Sequence, residues 1–380
     1  MIIRTLLVAP NAFKGSLTAT ECARAMAAGA RDALPEIKAI LHPLSDGGDG
    51  LIEVLADALD AEIITTEITG PLPGQRVNAA WAISRGRRMA IIEMARVAGL
   101  TLVPEDRRDP KITTTYGVGE LIREALDRGA SSIILGIGGS ATNDGGAGMA
   151  QALGVQFLDD RGGELPPGGA SLRDLARLDL SGLDPHMKEV KITVACDVEN
   201  PLIGERGASV VFGPQKGASP QDVTLLDAAL RHYGRLVSEA CGLDVLNVPG
   251  AGAAGGLGAG LLAFCHAELK RGIDIVLDAT GFDEALAAAD LVITGEGKID
   301  AQTRFGKAPA GVLRRARAAG KPVAALAGVI EGERSDYLGA EGFVDLITLV
   351  DAQTTSEQAM RNAGTVVRKR TSELIRRLNG

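Results

Sequence analysis

The sequence predicts an α/β protein, in which a Rossmann-like parallel-sheet domain is interrupted by an inserted mixed α/β domain. Apolar runs alternate with helix-like stretches at both ends of the chain, a pattern typical of β-α-β units and a parallel sheet. Between the ends, two strand-like runs are joined by the short turn SRG, which is typical of an antiparallel hairpin. The length of 380 residues suits two domains.

The N-terminal elements predict the first β-α-β unit. TLLVAP (5–10) has the composition of a buried strand, and IKAILHPL (37–44) that of a second strand. Between them, Thr18 and Glu21 have the spacing of a capping box, so we expect a helix to begin there.

The remaining elements extend this pattern. In the middle of the chain, RVNAAWAI (76–83) and RRMAIIEM (87–94) form the expected hairpin, and SSIILGI (131–137) and KITVACDV (191–198) are further strands. Near the C-terminus, DLVIT, PVAALAG and VDLITLV predict strands, APAGVLRRARAAG predicts a helix, and a last helix is expected over 356–378. We place the first domain at residues 1–70 and 273–380, and the inserted domain at 71–272.

Composition excludes several classes of protein. Aromatic residues make up only 3% of the chain, so the core must be aliphatic. The net charge of −8 and the lack of a basic stripe argue against nucleic-acid binding, and no apolar run is long enough for a membrane span. Four separated cysteines without a C-x-x-C pair argue against zinc and disulfides. Without a signal-peptide pattern, these features predict a cytoplasmic protein.

Two glycine-rich loops could bind anions. GIGGSATNDGGAG (136–148) lies between a predicted strand and a helix, where open α/β sheets bind ligands, yet it lacks the lysine of a P-loop. GAGAAGGLGAG (250–260) contains a G-x-G-x-x-G pattern, with Asp274 at the distance of a ribose-binding acid. However, the preceding LDVLNVP is a poor strand, so the match to a nicotinamide-binding loop is weak.

Charged residues also follow the predicted strands. Lys14 stands just past the first strand, where it could neutralise a phosphate or carboxylate. The acids in glycine-rich turns could bind Mg²⁺ or orient a hydroxyl; they are Asp46, Asp49, Asp144, Asp197, Glu296 and Asp300. The four histidines form no triad or zinc motif. This inventory favours phosphoryl transfer, in which positioning and charge neutralisation dominate.

Eight motifs in order resemble the bacterial glycerate kinase family. They span essentially the whole chain: NAFKGSLTA, PLSDGGDG, TTYGVGELI, GIGGSATNDGGAG, ACDVENPLIGERGA, FGPQKGA, PGAGAAGGLGAG and LVITGEGKIDAQTRFGKAPAGV. The resemblance implies a two-domain enzyme with its active site in the interdomain cleft. It also implies ATP- and Mg²⁺-dependent phosphorylation of D-glycerate, to 2-phosphoglycerate or, alternatively, to 3-phosphoglycerate. A monomer and a homodimer both stay open.

With this reaction in view, we assign roles to the candidate residues. Catalytic candidates are Lys14, Asp46, Asp197 and Glu296. Substrate-binding candidates are Arg304, Ser140, Asn143 and Asp300, with the Arg304 guanidinium as a fork for the substrate carboxylate. Cofactor-binding candidates are Gly138, Gly139, Gly145, Gly255 and Gly256. Metal-ligand candidates are Asp197 and Asp144.

The chain departs from the family pattern in two motifs. The first motif is more often PDSFKGS, whereas here Asn11 and Ala12 replace the acid and the hydroxyl. The second commonly ends in Glu-Gly-Thr, whereas here it ends in Asp49-Gly50-Leu51. Two other functions therefore stay open: a nicotinamide-dependent hydroxy-acid oxidoreductase, suggested by the Gly250 loop, and a non-catalytic ligand sensor, suggested by Asn11.

Overall fold

The structure is a computed structural model that describes residues 2–48, 50–300, 307–351 and 354–379. The strands are β1 (Thr5–Pro10), β2 (Lys38–Leu41), β3 (Glu62–Thr69), β4 (Arg76–Ser84), β5 (Met89–Glu93), β6 (Ser132–Gly136), β7 (Gln156–Leu158), β8 (Arg177–Asp179), β9 (Lys191–Ala195), β10 (Glu268–Lys270), β11 (Leu291–Ile299), β12 (Val323–Ile330) and β13 (Asp345–Thr348).

Helices connect most of these strands. They are α1 (Ala19–Ala33), α2 (Leu51–Ala58), α3 (Ala95–Ala98), α4 (Tyr116–Asp127), α5 (Ala147–Ala152), α6 (Ala208–Phe212), α7 (Pro220–Cys241), α8 (Leu257–Cys265), α9 (Gly272–Ala279), α10 (Phe282–Ala287), α11 (Ala308–Ala318), α12 (Ser356–Arg361) and α13 (Ala363–Asn379). None of the helices in the described part of the chain combines the length and apolar character that crossing a membrane requires.

The chain divides into two compact units. Unit 1 comprises residues 1–46, 53–58 and 271–380, and unit 2 comprises residues 47–52 and 59–270. Residues 59–70, which the sequence suggested for the first domain, group with unit 2. The reason is that β3 pairs with β4 along its whole length, so it belongs to the second sheet.

Unit 1 is built on a five-stranded parallel sheet. The strand order is β13-β12-β11-β1-β2, which confirms that the two ends of the chain share one sheet. The interior strand β1 is apolar and almost fully buried, as expected for a parallel sheet covered on both faces. Thr18 caps α1 with the predicted capping box. The predicted last helix is divided into two helices, because the helical conformation is interrupted at Asn362.

Unit 2 is built on a six-stranded mixed sheet. Its order is β10-β9-β6-β5-β4-β3, with β10, β9, β6 and β5 parallel and the predicted hairpin β4–β5 antiparallel. Its core is mainly aliphatic, with Trp81, Phe157, Tyr233 and Phe264 as the few large aromatic members. A parallel sheet with a second mixed sheet confirms the predicted fold class.

Candidate functional site

In unit 1, the candidate residues collect at the carboxyl edge of the parallel sheet. Pro10, the last residue of β1, pairs with Gly295 of β11. Asn11 and Lys14 therefore follow the strand end beside Glu296, which comes directly after Gly295. Asp46 follows β2, the other neighbour of β1. Carboxyl edges of parallel sheets are where α/β proteins bind ligands.

Lys14 is presented by a tight turn. The backbone amide of Phe13 donates to the carbonyl of Leu17 at 2.9 Å, and the amide of Leu17 donates back to Phe13 at 3.0 Å. Gly15 within this turn has a φ of +78°, which glycine adopts without strain. The Lys14 side chain itself is exposed. The turn thus fixes the backbone while leaving the ammonium accessible to an anion.

Asn11 links the end of β1 to Asp46. Its side-chain amide donates to Asp46 Oδ2 at 3.2 Å, and its Oδ1 accepts from the amide of Ala12 at 2.8 Å. Asn11 is buried, and its backbone amide donates to Gly295 at 2.8 Å. An aspartate at position 11 would place two carboxylates in this contact. Asn11 therefore replaces a like-charge contact with a hydrogen bond.

Glu296 lies on a strand and not in the turn that the sequence predicted. The prediction ended this strand at Thr294, but β11 continues to Ile299 because β12 accompanies it, with Glu296 beside Ala327 and Ile299 beside Ile330. Glu296 is only 6% exposed. A carboxylate on a paired strand is held more rigidly than one in a glycine-rich turn, which suits a group that orients a hydroxyl.

Asp300 follows the end of β11 and lies among charged side chains. Its carboxylate lies 3.4 Å from Lys307 Nζ and 3.8 Å from Lys298 Nζ. Lys298 also pairs with Glu331. Arg304 and Asp49, two of the residues singled out from the sequence, lie outside the described residues.

In unit 2, the glycine-rich loop and Asp197 share one sheet edge. The loop 136–148 begins at the end of β6, whose last residue Gly136 pairs with Ala195 at the end of β9. Asp197 follows two residues later and is exposed. Glu93, at the end of β5, pairs with Gly136 and accepts from the amide of Ile52 at 3.0 Å. The sequence did not single out Glu93, because it ends an ordinary apolar strand.

The glycine-rich loop has an exposed part and a buried part. Gly138 and Gly139 are exposed, whereas Ser140 to Gly148 are buried throughout. Gly139 and Ala141 are fixed by backbone hydrogen bonds, since the Gly139 carbonyl accepts from Leu100 at 2.9 Å and the Ala141 amide donates to Ala98 at 2.8 Å. Only the two exposed glycines could approach an anion directly.

The other three glycines assigned to the cofactor have packing roles. The amide of Gly145 donates to the carbonyl of Gly255 at 3.0 Å, so the two glycine-rich loops pack against each other. A Cβ on Gly255 would lie 1.9 Å from the Thr142 carbonyl, and one on Gly256 would lie 2.8 Å from Gly145 Cα. Close packing explains why these three positions are glycine. The structure therefore gives no reason to expect that Gly145, Gly255 and Gly256 contact a cofactor.

Asp144 organises this packed region. Its Oδ2 accepts from the Thr115 amide at 2.7 Å, the Thr115 hydroxyl at 2.9 Å and the Gly148 amide at 3.3 Å, and its Oδ1 accepts from the Gly146 amide at 3.2 Å. Burial raises the pKa of the Asp144 carboxyl, although these hydrogen bonds oppose the shift. With both oxygens engaged by the protein, Asp144 fits a structural anchor better than the metal ligand predicted from the sequence.

Ser140 and Asn143 are bound by other protein groups. Lys216 Nζ donates to Ser140 Oγ at 2.8 Å and to the Thr142 carbonyl at 2.6 Å. The Asn143 side-chain Nδ2 donates to Ser209 Oγ at 2.9 Å. Because the Ser140 and Asn143 side chains are buried and bound by protein groups, they are poorer candidates for direct contact with the substrate than the sequence suggested. Lys216 was not among the predicted site residues; its only signal was its place in the motif FGPQKGA.

The Gly250 loop lacks the context of a nicotinamide-binding loop. Residues 243–249 form no strand; they follow α7 as turns and bends. A dinucleotide-binding loop joins a strand to a helix whose N-terminus faces the pyrophosphate. Here Gly255 packs against the first loop and Gly252 packs against the Pro201 carbonyl, which removes the observation that favoured an oxidoreductase.

The carboxylates fit a magnesium ion that is shared with phosphate oxygens. In the described part of the chain, no group of three His, Cys, Asp or Glu side chains could hold a metal by itself. Mg²⁺ usually keeps several waters and takes only one or two protein carboxylates beside substrate phosphates. The exposed carboxylate of Asp197, at a carboxyl edge, suits such a site.

Known proteins of one family match this chain over nearly its whole length. The model of the glycerate kinase family matches residues 6–379. The chain is 47% identical to the glycerate 2-kinase of Escherichia coli K12, over 94% of this chain and 93% of that protein. It is 48% identical to a glycerate kinase of Bacillus subtilis 168, with the same coverage.

A crystal structure extends this agreement to the fold. It is of a protein from Salmonella typhimurium LT2 that is provisionally assigned as glycerate kinase 2. The TM-score is 0.89 at 47% identity, covering 99% of this chain and 98% of that one. Family model, sequence and fold agree, and we conclude that the chain belongs to the glycerate kinase family and is a kinase.

Proposed function

We propose that the enzyme phosphorylates D-glycerate at the 2-hydroxyl, with ATP as donor and Mg²⁺ as cofactor. The observation that carries the regiochemistry is the 47% identity, over 94% of the chain, to a protein named glycerate 2-kinase. The carboxylates and Lys14 at the carboxyl edges supply groups that suit this reaction. The family resemblance also implies a metabolic context, and we propose that the enzyme serves the catabolism of glycerate, glucarate or glyoxylate in the cytoplasm.

Each group has a distinct proposed role. Lys14 binds a phosphate or the substrate carboxylate, because an exposed ammonium on a fixed turn can neutralise an anion. Glu296 or Asp46 orients the acceptor hydroxyl. Asp197 binds magnesium, which when present neutralises charge on the phosphates. Arg304 remains the candidate for the substrate carboxylate, and Asp300 remains a candidate for binding the substrate through its hydroxyl groups.

The experiment is ADP release from Mg-ATP with D-glycerate, L-glycerate and related hydroxy acids as acceptors. We expect turnover that depends on D-glycerate and falls when Mg²⁺ is chelated. Equal turnover with L-glycerate, or full turnover without Mg²⁺, would contradict the proposed substrate or cofactor. Turnover with a different hydroxy acid alone would keep the kinase and overturn the acceptor.

A further inference from the structure

Lys216 is a buried lysine that binds the glycine-rich loop where its buried part begins. It ends a short 3₁₀ turn, Pro214–Lys216, and is only 2% exposed. Its two hydrogen bonds reach Ser140 Oγ and the Thr142 carbonyl, on either side of Ala141. Ser140 immediately follows the exposed Gly138 and Gly139. The ammonium therefore fixes the loop at the residue where it becomes buried.

The backbone around Lys216 is specialised for this approach. Gly217, the next residue, has a φ of +95°, and a Cβ there would lie 2.3 Å from the Arg108 carbonyl. Residues 98–100 also hold Gly139 and Ala141 through backbone hydrogen bonds. The loop is thus held both by a backbone segment and by a lysine side chain.

A positive charge is more than this fixation requires. Neutral donors could hold a hydroxyl and a carbonyl at a lower desolvation cost. Burial lowers the pKa of Lys216 to about 7, and the nearby Asp144 carboxylate opposes this shift. Two neighbouring polar atoms, Thr142 Oγ1 and Asn143 Oδ1, are buried without a hydrogen-bond partner among the described residues. Near neutral pH this buried amine is therefore only partly protonated, and an anion at the neighbouring glycine backbone would favour its charged form, which points to an electrostatic role.

We propose that Lys216 is a positioning residue for an oxyanion subsite formed by the backbone of Gly138 and Gly139. It holds the loop through Ser140 and Thr142, and its charge makes the local potential favourable for an anion. The ligand chemistry is a phosphate of the nucleotide or the carboxylate of the acceptor. This proposal rests on the proposed function, because the two anions are those of ATP and glycerate.

The test compares Lys216→Met and Ser140→Ala with Lys111→Met as control. Lys216→Met removes the charge but keeps an aliphatic side chain, while Ser140→Ala removes one hydrogen bond and keeps the charge. Lys111 is a lysine of the same unit whose ammonium, among the described residues, pairs with Asp222 at 2.8 Å and Asp109 at 3.2 Å instead of with the loop. For each variant, KM for ATP, KM for glycerate and kcat are measured, with the melting temperature as a check on folding.

We expect Lys216→Met to raise KM for one anionic substrate about tenfold or more, a change in binding equivalent to that of one charge-assisted contact. Ser140→Ala should raise the same KM less, and Lys111→Met should leave both KM values unchanged. A rise for ATP identifies a phosphate as the ligand, and a rise for glycerate identifies the carboxylate. Unchanged KM values for both substrates in folded Lys216→Met would overturn the proposal.

Two possible complications each have a defined way to decide the proposal. If Lys216→Met does not fold, Ser140→Ala decides: a selective rise in one KM supports the subsite, and no change overturns it. If the wild-type enzyme shows no turnover with glycerate, the proposed function fails by itself. Calorimetric ATP binding then decides the subsite, since weaker binding by Lys216→Met supports it and unchanged binding by that variant overturns it.

Discussion

Two lysines, one in each unit, differ in burial, and this difference separates their expected roles. Lys14 is exposed on a closed turn, whereas Lys216 is buried under the loop that it holds. An exposed lysine contributes little to folding, while a buried one affects both folding and local potential. Substitutions at the two positions should therefore give different combinations of activity and stability.

For Lys14→Ala, we predict a loss in kcat/KM of about 100-fold with an unchanged melting temperature, since the variant loses one charged contact to the reacting anion. Lys369→Ala is the matched control, because Lys369 is an exposed lysine on α13. Steady-state kinetics and thermal unfolding of both variants test this. Near-normal turnover in Lys14→Ala would remove Lys14 from the site.

For Lys216, we predict that stability depends on pH in a specific direction. The folded-state pKa is lowered to about 7 from the ordinary value of 10.5. Between these values the unfolded chain binds more protons, so the free energy of unfolding should rise with pH. Below the folded pKa, lysine is protonated in both states and this contribution to the slope vanishes.

Urea unfolding of the wild type and Lys216→Met at about pH 6.5 and about pH 9 measures this effect. The wild type should gain stability relative to the variant at the higher pH. Parallel pH profiles of the two proteins would show that the buried amine does not titrate in this range.

Among larger elements, the two glycine-rich loops differ in what their sequences predict and in what the structure adds. The sequence patterns identify both loops and indicate that the second does not follow a good strand. They do not show that the two loops pack together, because local periodicity carries no information about tertiary neighbours. For the same reason, five glycines were assigned to a cofactor, although Gly145, Gly255 and Gly256 are used for backbone contact.

This packing role predicts a contrast between two glycines with nearly equal backbone angles. Gly255 has a φ of +69° and Gly242 a φ of +68°, but a Cβ on Gly242 would meet nothing within 4 Å. Gly242→Ala should therefore lose only about 1 kcal/mol from the strained backbone. Gly255→Ala should lose at least about 2 kcal/mol more, because the loops must separate.

Chemical denaturation of the two variants measures this difference. Equal, small losses of stability would contradict the packing role of Gly255. If those small losses were accompanied by a raised KM for ATP in Gly255→Ala alone, the original assignment of Gly255 to the cofactor would regain support.

Across the chain, the interior strands of both large sheets were predictable, whereas strand extent, the edge strands β3 and β10, and the short pair β7–β8 were not. Apolar runs gave both sheets, since buried parallel strands are nearly continuous in hydrophobicity. The sequence pattern predicts that β11 ends at Thr294, because Gly295 and Gly297 are typical of turns. Pairing with β12 overrides that local preference and brings Glu296 onto the strand.

The positions of the candidate site residues on the sheets were predictable in kind but not in detail. Charged residues after strands identified the carboxyl edge, and Asn11, Lys14, Asp46 and Glu296 do lie there. Burial could not be read from the same motifs, so Asp144, Ser140 and Asn143 were expected to meet ligands although their side chains are bound by the protein. The eight family motifs identified the kinase, but not Lys216, whose role depends on a contact distant in sequence.

The central claim is phosphorylation of D-glycerate at the 2-hydroxyl, and the most direct test is proton-coupled phosphorus NMR of the product formed from Mg-ATP and D-glycerate. A phosphate on carbon 2 couples to a single proton and gives a doublet. A phosphate on carbon 3 couples to two protons and gives a triplet or a closely related pattern. We predict the doublet; the pattern of two coupled protons would contradict the claim and assign the product as 3-phosphoglycerate.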